Sequence, residues 1–211
     1  KIITISLVLF LTYSLQATVD GRSQNMFSVD PSSGQISTAQ KLDRESIDKH
    51  YFMIIATDNG SRKQSSMASL TIIVDDVNDH MPTFENSFYA QDVSESIITG
   101  TTVLTIRASD GDTGNNGAIS YKILNPSGVN MAFYIDQNSG SIVTKTPLDR
   151  ERTPFYSMTI SASDKALVTE RKSSTATVEI TVLDENDNKP QFSQGSYTID
   201  VSEDIDPSRG P

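Results

Sequence analysis

An internal repeat constrains the fold of this chain more than any other feature of its sequence. The letters FSVD, followed by SGQI, begin at Phe27 and return as FYID, followed by SGSI, at Phe133. The tetrapeptide LDRE begins at Leu42 and returns unchanged at Leu148. Both pairs are 106 residues apart and come in the same order. The chain therefore contains a duplicated unit of the size of an ordinary domain.

Three further matches extend the repeat along the chain. ATD at Ala56 returns as ASD at Ala162, with the same offset of 106 residues. DVNDH at Asp76 returns as DENDN at Asp184, and here the offset is 108 residues. A last match, in which a Tyr is followed four residues later by VSE, begins at Tyr89 and also has an offset of 108. Five matches in one order indicate duplication rather than chance.

Each repeated unit is predicted to consist of strands separated by turns. Apolar and polar residues alternate with a period of two in segments 101–108, 156–162 and 175–182, which is typical of half-buried strands. Clusters of Gly, Asn and Ser at 111–117 and 137–140 predict turns. Helical periodicity is absent from the sequence. About seven short strands in roughly one hundred residues predict an all-β fold of Ig-like Greek-key sandwiches.

The composition limits what such a domain can bind. The 211 residues carry a formal net charge of −10, so the chain is expected to repel nucleic acid and anionic membranes. Its surplus carboxylates can be solvating charge or ligands for a hard cation, and their spacing must distinguish the two. The sequence has no Cys, which excludes disulfides and thiol chemistry.

The first 17 residues have two interpretations. A lysine followed by the apolar run 2–11 and by small and polar residues resembles a secretory signal, although the run is too short to span a bilayer. The alternative is a β-branched strand of a sandwich. We favour the strand because the following residues are in register with the later repeat.

Acidic motifs lie where strands are expected to end, and strand ends cluster at the two poles of a sandwich. The segment 76–82 is a short connection between two units, stiffened by Pro82, which fixes its own backbone and restricts Met81. Acids at the bottom of one unit should therefore face acids at the top of the next. Ca²⁺ requires six to eight oxygen ligands, which a single short loop rarely supplies. Such a junction predicts a calcium site.

Together these motifs resemble the extracellular repeats of the cadherin superfamily. In the second unit they comprise Glu95 on its first strand and DGD at Asp110 followed by Asn116-Gly. In both units they comprise DRE, then AxD, then a linker of the type DxND with a Pro and an aromatic residue beyond it. The resemblance implies tandem sandwiches of about seven strands joined by short calcium-binding linkers. It divides the chain into an N-terminally truncated repeat (1–80), a complete repeat (81–188) and the first strand of a third repeat (189–211).

The resemblance also implies a ligand set, with up to three Ca²⁺ ions at the first junction. The side chains implied there are those of Asp43, Glu45, Asp76, Asn78, Asp79, Asp110, Asp112 and Asp164. The backbone carbonyls implied there are those of Val77, His80 and Asn116. His80 stands where the family usually has Asn, with little expected loss because the carbonyl is the ligand.

A second junction is expected to form only part of a site. Its implied ligands are Glu95, Asp149, Glu151, Asp184, Glu185, Asn186 and Asp187. The counterpart of Glu95 in the first repeat would fall before Lys1. We therefore expect the first junction of this chain to bind Ca²⁺ more weakly than in a chain that has that Glu.

The function implied by the resemblance is calcium-dependent cell adhesion or mechanical linkage by a stiff rod. Its implied partners are other cadherin-type ectodomains, homophilic or heterophilic, at the extracellular face of the plasma membrane, in a protein with a single membrane span elsewhere. One alternative is a calcium-stiffened spacer that presents a surface for a carbohydrate or a non-cadherin ligand. An enzyme has little support, because His50 and His80 are not in a recognisable nucleophile–base arrangement.

Within the superfamily, the motif pattern resembles protocadherin-like or Fat- and Dachsous-like members that are not desmosomal. The segment NGS at Asn59 fits a glycosylation sequon, although Asn-Gly is equally typical of a hairpin turn. Asp30 and Asp136 are interpreted as turn residues and not as ligands. Four aromatic residues are predicted to be core residues, namely Tyr13, Phe27, Tyr121 and Phe133.

Overall fold

The computed structural model describes residues 11–124, 132–200 and 203. Their regular structure is almost entirely β, as the alternating patterns predict. The first unit has β1 (Leu11–Ala17), β2 (Phe27–Val29), β3 (Ile36–Thr38), β4 (Lys49–Asp58) and β5 (Ser65–Ile73), with a 3₁₀ turn at Gly21–Asn25. The apolar run 2–11, proposed as a strand or a signal, lies outside the described residues except for Leu11, the first residue of β1.

The first unit is built on an antiparallel sheet in the order β1, β4, β5. Strands β2 and β3 pair separately and lie against it. Between these layers, Phe27 and Ile36 pack on Phe52 and Ile54, all four of them buried. The rings of Phe27 and Phe52 meet edge to face with centroids 5.5 Å apart. The alternation of buried and exposed residues along β4 places these side chains on one face of the sheet.

The second unit is a sandwich of two main sheets within the described residues. Its elements are β6 (Thr83–Phe84), β7 (Phe88–Ser94), β8 (Thr102–Thr105), β9 (Ala108–Ser109), α1 (Gly114–Gly117), β10 (Ser120–Ile123), β11 (Phe133–Ile135), β12 (Ser141–Thr144), β13 (Phe155–Ser163) and β14 (Ser173–Leu183). One sheet has the order β10, β13, β14, β7, and β7 runs parallel to β14. The other has the order β11, β12, β8. The predicted fold class is confirmed.

The core of the second unit fills the space between these two sheets. Met158, Ile160 and Val178 come from the four-stranded sheet, and Phe133 and Ile142 come from the three-stranded sheet. The aromatic residues predicted for the core are buried here, as they are in the first unit. Burial of so many large apolar side chains provides the main stabilisation of the unit. The acidic loops are thereby held on a rigid support.

The predicted strand 101–108 is interrupted in the structure. Strand β8 pairs with β12 in the three-stranded sheet, whereas β9 pairs with β6 at the end of the unit. Between them, Ile106 is completely buried and its N–H donates to the carbonyl of Gly140 (3.1 Å). The chain therefore changes its partner strand at Ile106. Alternation alone cannot reveal this, because the side chains keep their period across the change.

The third-repeat strand predicted at the end of the chain is not formed in residues 189–200. Phe192 and Ile199, which such a strand would bury, are more than four-fifths exposed. A strand requires a neighbour to accept and donate its backbone hydrogen bonds, and none of the described residues supplies one here. The assignment of this segment to a third repeat therefore stays a prediction.

Two aspartates close equivalent turns in the two units. The carboxylate of Asp30 accepts hydrogen bonds from the N–H groups of Ser32 (2.9 Å) and Ser33 (2.8 Å). Asp136 accepts in the same way from Asn138 and Ser139. Hydrogen bonding, led by the Ser32 hydroxyl for Asp30 and the Ser139 N–H for Asp136, lowers the pKa of both carboxyls. The local bonds fit the interpretation of both residues as turn residues.

The glycosylation sequon lies at the pole of the first unit remote from the second. Asn59 is exposed in the loop between β4 and β5, and its Oδ1 accepts a hydrogen bond from the Thr12 hydroxyl (3.3 Å). Attachment of a glycan to this residue stays a prediction.

Candidate metal centre

Acidic side chains from three segments meet where the first unit joins the second. The first segment is the loop 43–45 that precedes β4, and the second is the linker 74–82 that follows β5. The third is the loop 110–116, which leads from β9 into α1 and β10. Because the linker is short, it brings the poles of the two units together. The three segments are far apart in sequence and adjacent only in the fold.

Asp76 connects the linker to the second unit. Its Oδ1 accepts a hydrogen bond from the Thr113 N–H (3.2 Å), and its Oδ2 accepts one from the side-chain amide of Asn116 (2.8 Å). Burial acts to raise the pKa of the Asp76 carboxyl, but these hydrogen bonds and the nearby Arg44 charge outweigh it and lower the pKa. The carboxyl is therefore held ionised. Asn116, predicted to contribute its carbonyl, contacts Asp76 through its side-chain amide.

Asn78 crosses the junction in the opposite direction. Its side-chain amide donates to Oδ2 of Asp164 (3.1 Å) and to the carbonyl of Glu170 (2.8 Å), both in the second unit. Asp164 is almost completely buried and accepts further hydrogen bonds from the N–H groups of Ala166 and Lys172. The Oδ1 atom of Asn78 is buried and has no hydrogen-bond partner in the described structure. An unpartnered buried oxygen is costly unless a cation or water contacts it.

A second oxygen without a partner belongs to Asp110. Its Oδ1 accepts from the Asp112 N–H (3.0 Å), whereas its Oδ2 is buried and unpartnered among the described residues. This oxygen and the Asn78 Oδ1 belong to the types that Ca²⁺ prefers. The junction therefore fits a hard divalent cation on its own chemistry.

His80 enters the acidic cluster with its ring as well as its backbone. The backbone N–H of His80 donates to Oδ2 of Asp112 (3.1 Å). The ring Nδ1 lies 3.0 Å from Oδ1 of Asp112 and 3.0 Å from Oδ1 of Asp79. The hydrogen bond with Asp112 is the largest cause of a raised His80 pKa, and the charge of Asp79 adds to it. Ligand atoms of Glu45, Asp79, His80 and Asp112 all lie within 4.8 Å of one another.

The sequence interpretation gave His80 only a carbonyl role and did not predict the position of its ring. The second repeat has Asn188 at this position. This difference between the two repeats was the feature of the sequence that could have drawn attention to the His80 side chain. The imidazole also lies against Gly111, where a side chain would have its Cβ about 3.1 Å from the ring. Gly111 thus leaves the space that the ring occupies.

Two of the predicted ligands of the first junction make mainly local contacts. Asp43 accepts hydrogen bonds from the Ser46 hydroxyl (2.6 Å) and the Glu45 N–H (3.1 Å), and the Ser46 bond is the largest cause of its lowered pKa. The Val77 side chain is exposed, and its carbonyl accepts from the Asp79 N–H (2.7 Å). Both residues are at the junction but are not in the close cluster around His80.

Arg44 is the junction residue that sequence reasoning missed. Its Nε lies 2.5 Å from Oδ1 of Asp76 as an ion pair without hydrogen-bond geometry, and its Nη2 pairs with Glu45. Nη2 also donates to the carbonyl of Gly111 in the second unit (3.1 Å). The available signal was the LDRE repeat itself, which keeps a basic residue between two acids in both units.

The second predicted junction is organised by Glu95. Its Oε2 accepts from the Arg150 N–H (2.8 Å) and its Oε1 from the Glu185 N–H (2.8 Å), so this buried carboxylate joins the DRE loop to the end of β14. Ligand atoms of Glu95, Asp149 and Glu151 lie within 4.8 Å of one another. These three acids form a compact half-site.

The remaining predicted ligands of the second junction are not gathered around that half-site. Asp184 pairs with Arg150 (2.7 Å), and the Glu185 carboxylate accepts from the Ser94 hydroxyl (2.8 Å). Asp187 accepts from the side chain of Asn188, and Asn186 is exposed.

Known proteins resemble this chain in sequence. The family model for the cadherin domain matches residues 11–75 and 89–183. A mouse protein named cadherin EGF LAG seven-pass G-type receptor 2 is 44% identical over 199 residues, which cover 93% of this chain and 7% of that protein. The chain thus spans a small fraction of the length of this relative.

Solved structures of cadherin and protocadherin repeats have a fold similar to that of this chain. Repeats EC22–24 of mouse cadherin-23 superpose with a TM-score of 0.73 and 31% identity, covering 88% of this chain and 57% of that one. The cis-dimer structure of protocadherin gammaB7 EC3–6 gives a TM-score of 0.72 and 28% identity, covering 90% of this chain and 44% of that one. Among the described residues, no helix has the length and apolar character needed to cross a bilayer.

Proposed function

The chain belongs to the cadherin family, and from this premise we propose that it is part of an adhesive ectodomain whose first junction is stiffened by Ca²⁺. The observation that supports the proposal most directly is the pair of buried, unpartnered oxygens on Asn78 and Asp110, one from each side of the junction. Carboxylates of both units surround them. A cation bound there would share its ligands between the two repeats.

The residues that would hold the cations are the ligands predicted from the sequence, and His80 would contribute its carbonyl oxygen, because Ca²⁺ takes oxygen ligands and not imidazole nitrogen. Bound Ca²⁺ would supply the positive charge that offsets the mutual repulsion of these carboxylates. The chain itself contributes the positioning, since Asp76 is fixed by Asn116 and Thr113 and Asn78 is fixed by Asp164. We propose up to three ions at this junction and a partial site at the second.

The division into repeats at residues 80 and 188 belongs to the same proposal. The partner that fits it best is another cadherin-type ectodomain, and the dimeric protocadherin structure with a similar fold supports this class of partner. We place the chain on the extracellular side of the plasma membrane. Because the mouse relative is named a seven-pass receptor, we propose a seven-pass anchor as the alternative to the single span expected from the sequence.

Thermal unfolding with and without Ca²⁺ tests the proposal. The melting temperature of the chain should rise in millimolar Ca²⁺, the range in which extracellular modules bind, and fall again with chelator. Asp112→Ala should remove most of the rise. Asp136→Ala, a turn carboxylate, should keep it. An unchanged melting temperature across the titration refutes the calcium site, and equal losses in both variants refute the ligand assignment.

A further inference from the structure

The first junction already contains a cationic group among its acids. The guanidinium of Arg44 lies between Asp76 and Glu45 and reaches the Gly111 carbonyl of the next repeat. Its side chain is only 15% exposed. The group therefore contacts the preceding repeat, the linker and the following repeat at once. A fixed positive charge in that position offsets part of the repulsion that the carboxylates would otherwise exert.

The second junction repeats the arrangement. Arg150 pairs with Glu151 (2.9 Å) and with Asp184 (2.7 Å), which are the counterparts of Glu45 and Asp76. Its side chain is 38% exposed, since the described structure has no following repeat to cover it. The same bridge between the DRE glutamate and the first linker aspartate thus occurs at two independent places. Of these two arginines, Arg44 also contacts the following repeat, through the Gly111 carbonyl.

The acids that Arg44 contacts are also proposed ligands of the cation. A carboxylate oxygen that faces a guanidinium at ion-pair distance has fewer lone pairs available for a metal. Two cations in one small cluster also repel each other. Binding of Ca²⁺ through the oxygens that face Arg44, Oδ1 of Asp76 and Oε1 of Glu45, therefore requires the guanidinium to withdraw from them. Arg44 should therefore stabilise the junction when no metal is bound and destabilise it when Ca²⁺ is bound.

We propose that Arg44 is a built-in counter-cation of the first junction. It ties Asp76 and Glu45 together and holds Gly111 of the next repeat when Ca²⁺ is scarce, and it lowers the affinity for Ca²⁺ because it competes for the same oxygens. This inference rests on the proposed calcium site. It adds that the chain itself sets the calcium concentration at which the junction changes from an arginine-linked to a metal-linked state.

Calorimetric titration of the whole chain with CaCl₂ measures the competition. Arg44→Gln should lower the dissociation constant of the first junction by about twofold to fivefold, the range for losing a partly exposed charge pair. Arg62→Gln is the matched control, because it removes the same charge from the exposed loop between β4 and β5 at the far pole. It should leave the affinity unchanged. Unchanged or weaker binding by Arg44→Gln overturns the competition.

Thermal unfolding in chelator tests the metal-free role separately. Arg44→Gln should melt at a lower temperature than the original chain, whereas Arg62→Gln should not. Arg44→Lys keeps the charge without the planar fork, so its Ca²⁺ affinity should stay near that of the original chain while part of the stability in chelator is lost. If Arg44→Lys binds Ca²⁺ as tightly as Arg44→Gln, charge competition is wrong.

The same experiments separate the two proposals. If the original chain shows neither a heat of Ca²⁺ binding nor a higher melting temperature in Ca²⁺, the proposed calcium site fails, and with it the competition. If the original chain binds but Arg44→Gln binds no more tightly, only the counter-cation role fails.

Discussion

The side-chain amide of Asn78 donates to the buried carboxylate of Asp164, 3.1 Å away and 86 residues along the chain. This bond joins the linker of one repeat to the end of strand β13 in the next. It satisfies one side of Asn78 and leaves the opposite oxygen buried without a partner in the described structure. Asn78 thus connects the two repeats directly and presents an oxygen to the acidic cluster.

Asn78→Asp tests this connection. The change replaces a donor by a carboxylate that faces the buried carboxylate of Asp164, so like charges meet at low exposure. We expect a lower melting temperature in chelator and partial recovery in Ca²⁺, measured by differential scanning calorimetry. Asn86→Asp, on an exposed loop residue, is the control and should change little. Equal melting temperatures for both variants would contradict a role for the Asn78 amide.

A second prediction concerns Gly117, at the end of α1. A Cβ on this residue would overlap the carbonyl of Asp112, so Gly117→Ala must displace the loop that positions the Asp112 carboxylate. We expect a loss of about 1 to 3 kcal/mol in unfolding free energy, the usual cost of overpacking, and weaker Ca²⁺ binding. Chemical denaturation and calorimetric titration measure the two effects. Gly21→Ala should show neither, because its Cβ would meet open space.

The third prediction is a pH dependence that arises from His50. This residue is buried, with Nδ1 2.8 Å from the Ser23 hydroxyl, and burial lowers its pKa in the folded state. The unfolded chain therefore takes up a proton near pH 6.5 that the folded chain resists. Stability should be complete above that pH and fall as the pH drops from 6.5 towards the lower folded pKa.

Urea unfolding in chelator at pH 7.5 and 5.5 measures this fall. The measurement uses a His80→Asn background, because the raised pKa of His80 has the opposite effect: it adds stability at low pH that is lost as the pH rises through the folded value. The variant leaves His50 as the only histidine. His50→Gln in that background should reduce the fall. An unchanged difference between the two pH values would show that His50 is not the cause.

Much of the fold could be predicted from the sequence, because the alternation of apolar and polar residues is a local property. The segments 156–162 and 175–182 form β13 and β14 with only small changes at their ends. The segment 101–108 fails as one strand because its partner changes at Ile106. Residues 189–200 form no strand because pairing depends on a neighbour that local patterning does not supply.

The candidate site divides in the same way. The residue types needed for a hard-cation site could be read from the repeated motifs, and the structure brings Glu45, Asp76, Asp79 and Asp112 to one junction. Their identity as ligands stays a prediction. The ring of His80 and the guanidinium of Arg44 could not be placed, because their directions depend on how the second unit docks against the linker.

The sequence by itself determined the duplication, the all-β class and the kinds of ligand atom at the repeat junctions. Only the tertiary structure decided that Asn78 and Asp110 leave buried oxygens unpartnered and that Arg44 lies between the carboxylates that would bind a metal. The physical reason is range. Periodicity and motif spacing act within one strand or one loop, whereas the junction is formed by side chains that meet only after two folded units have been brought together.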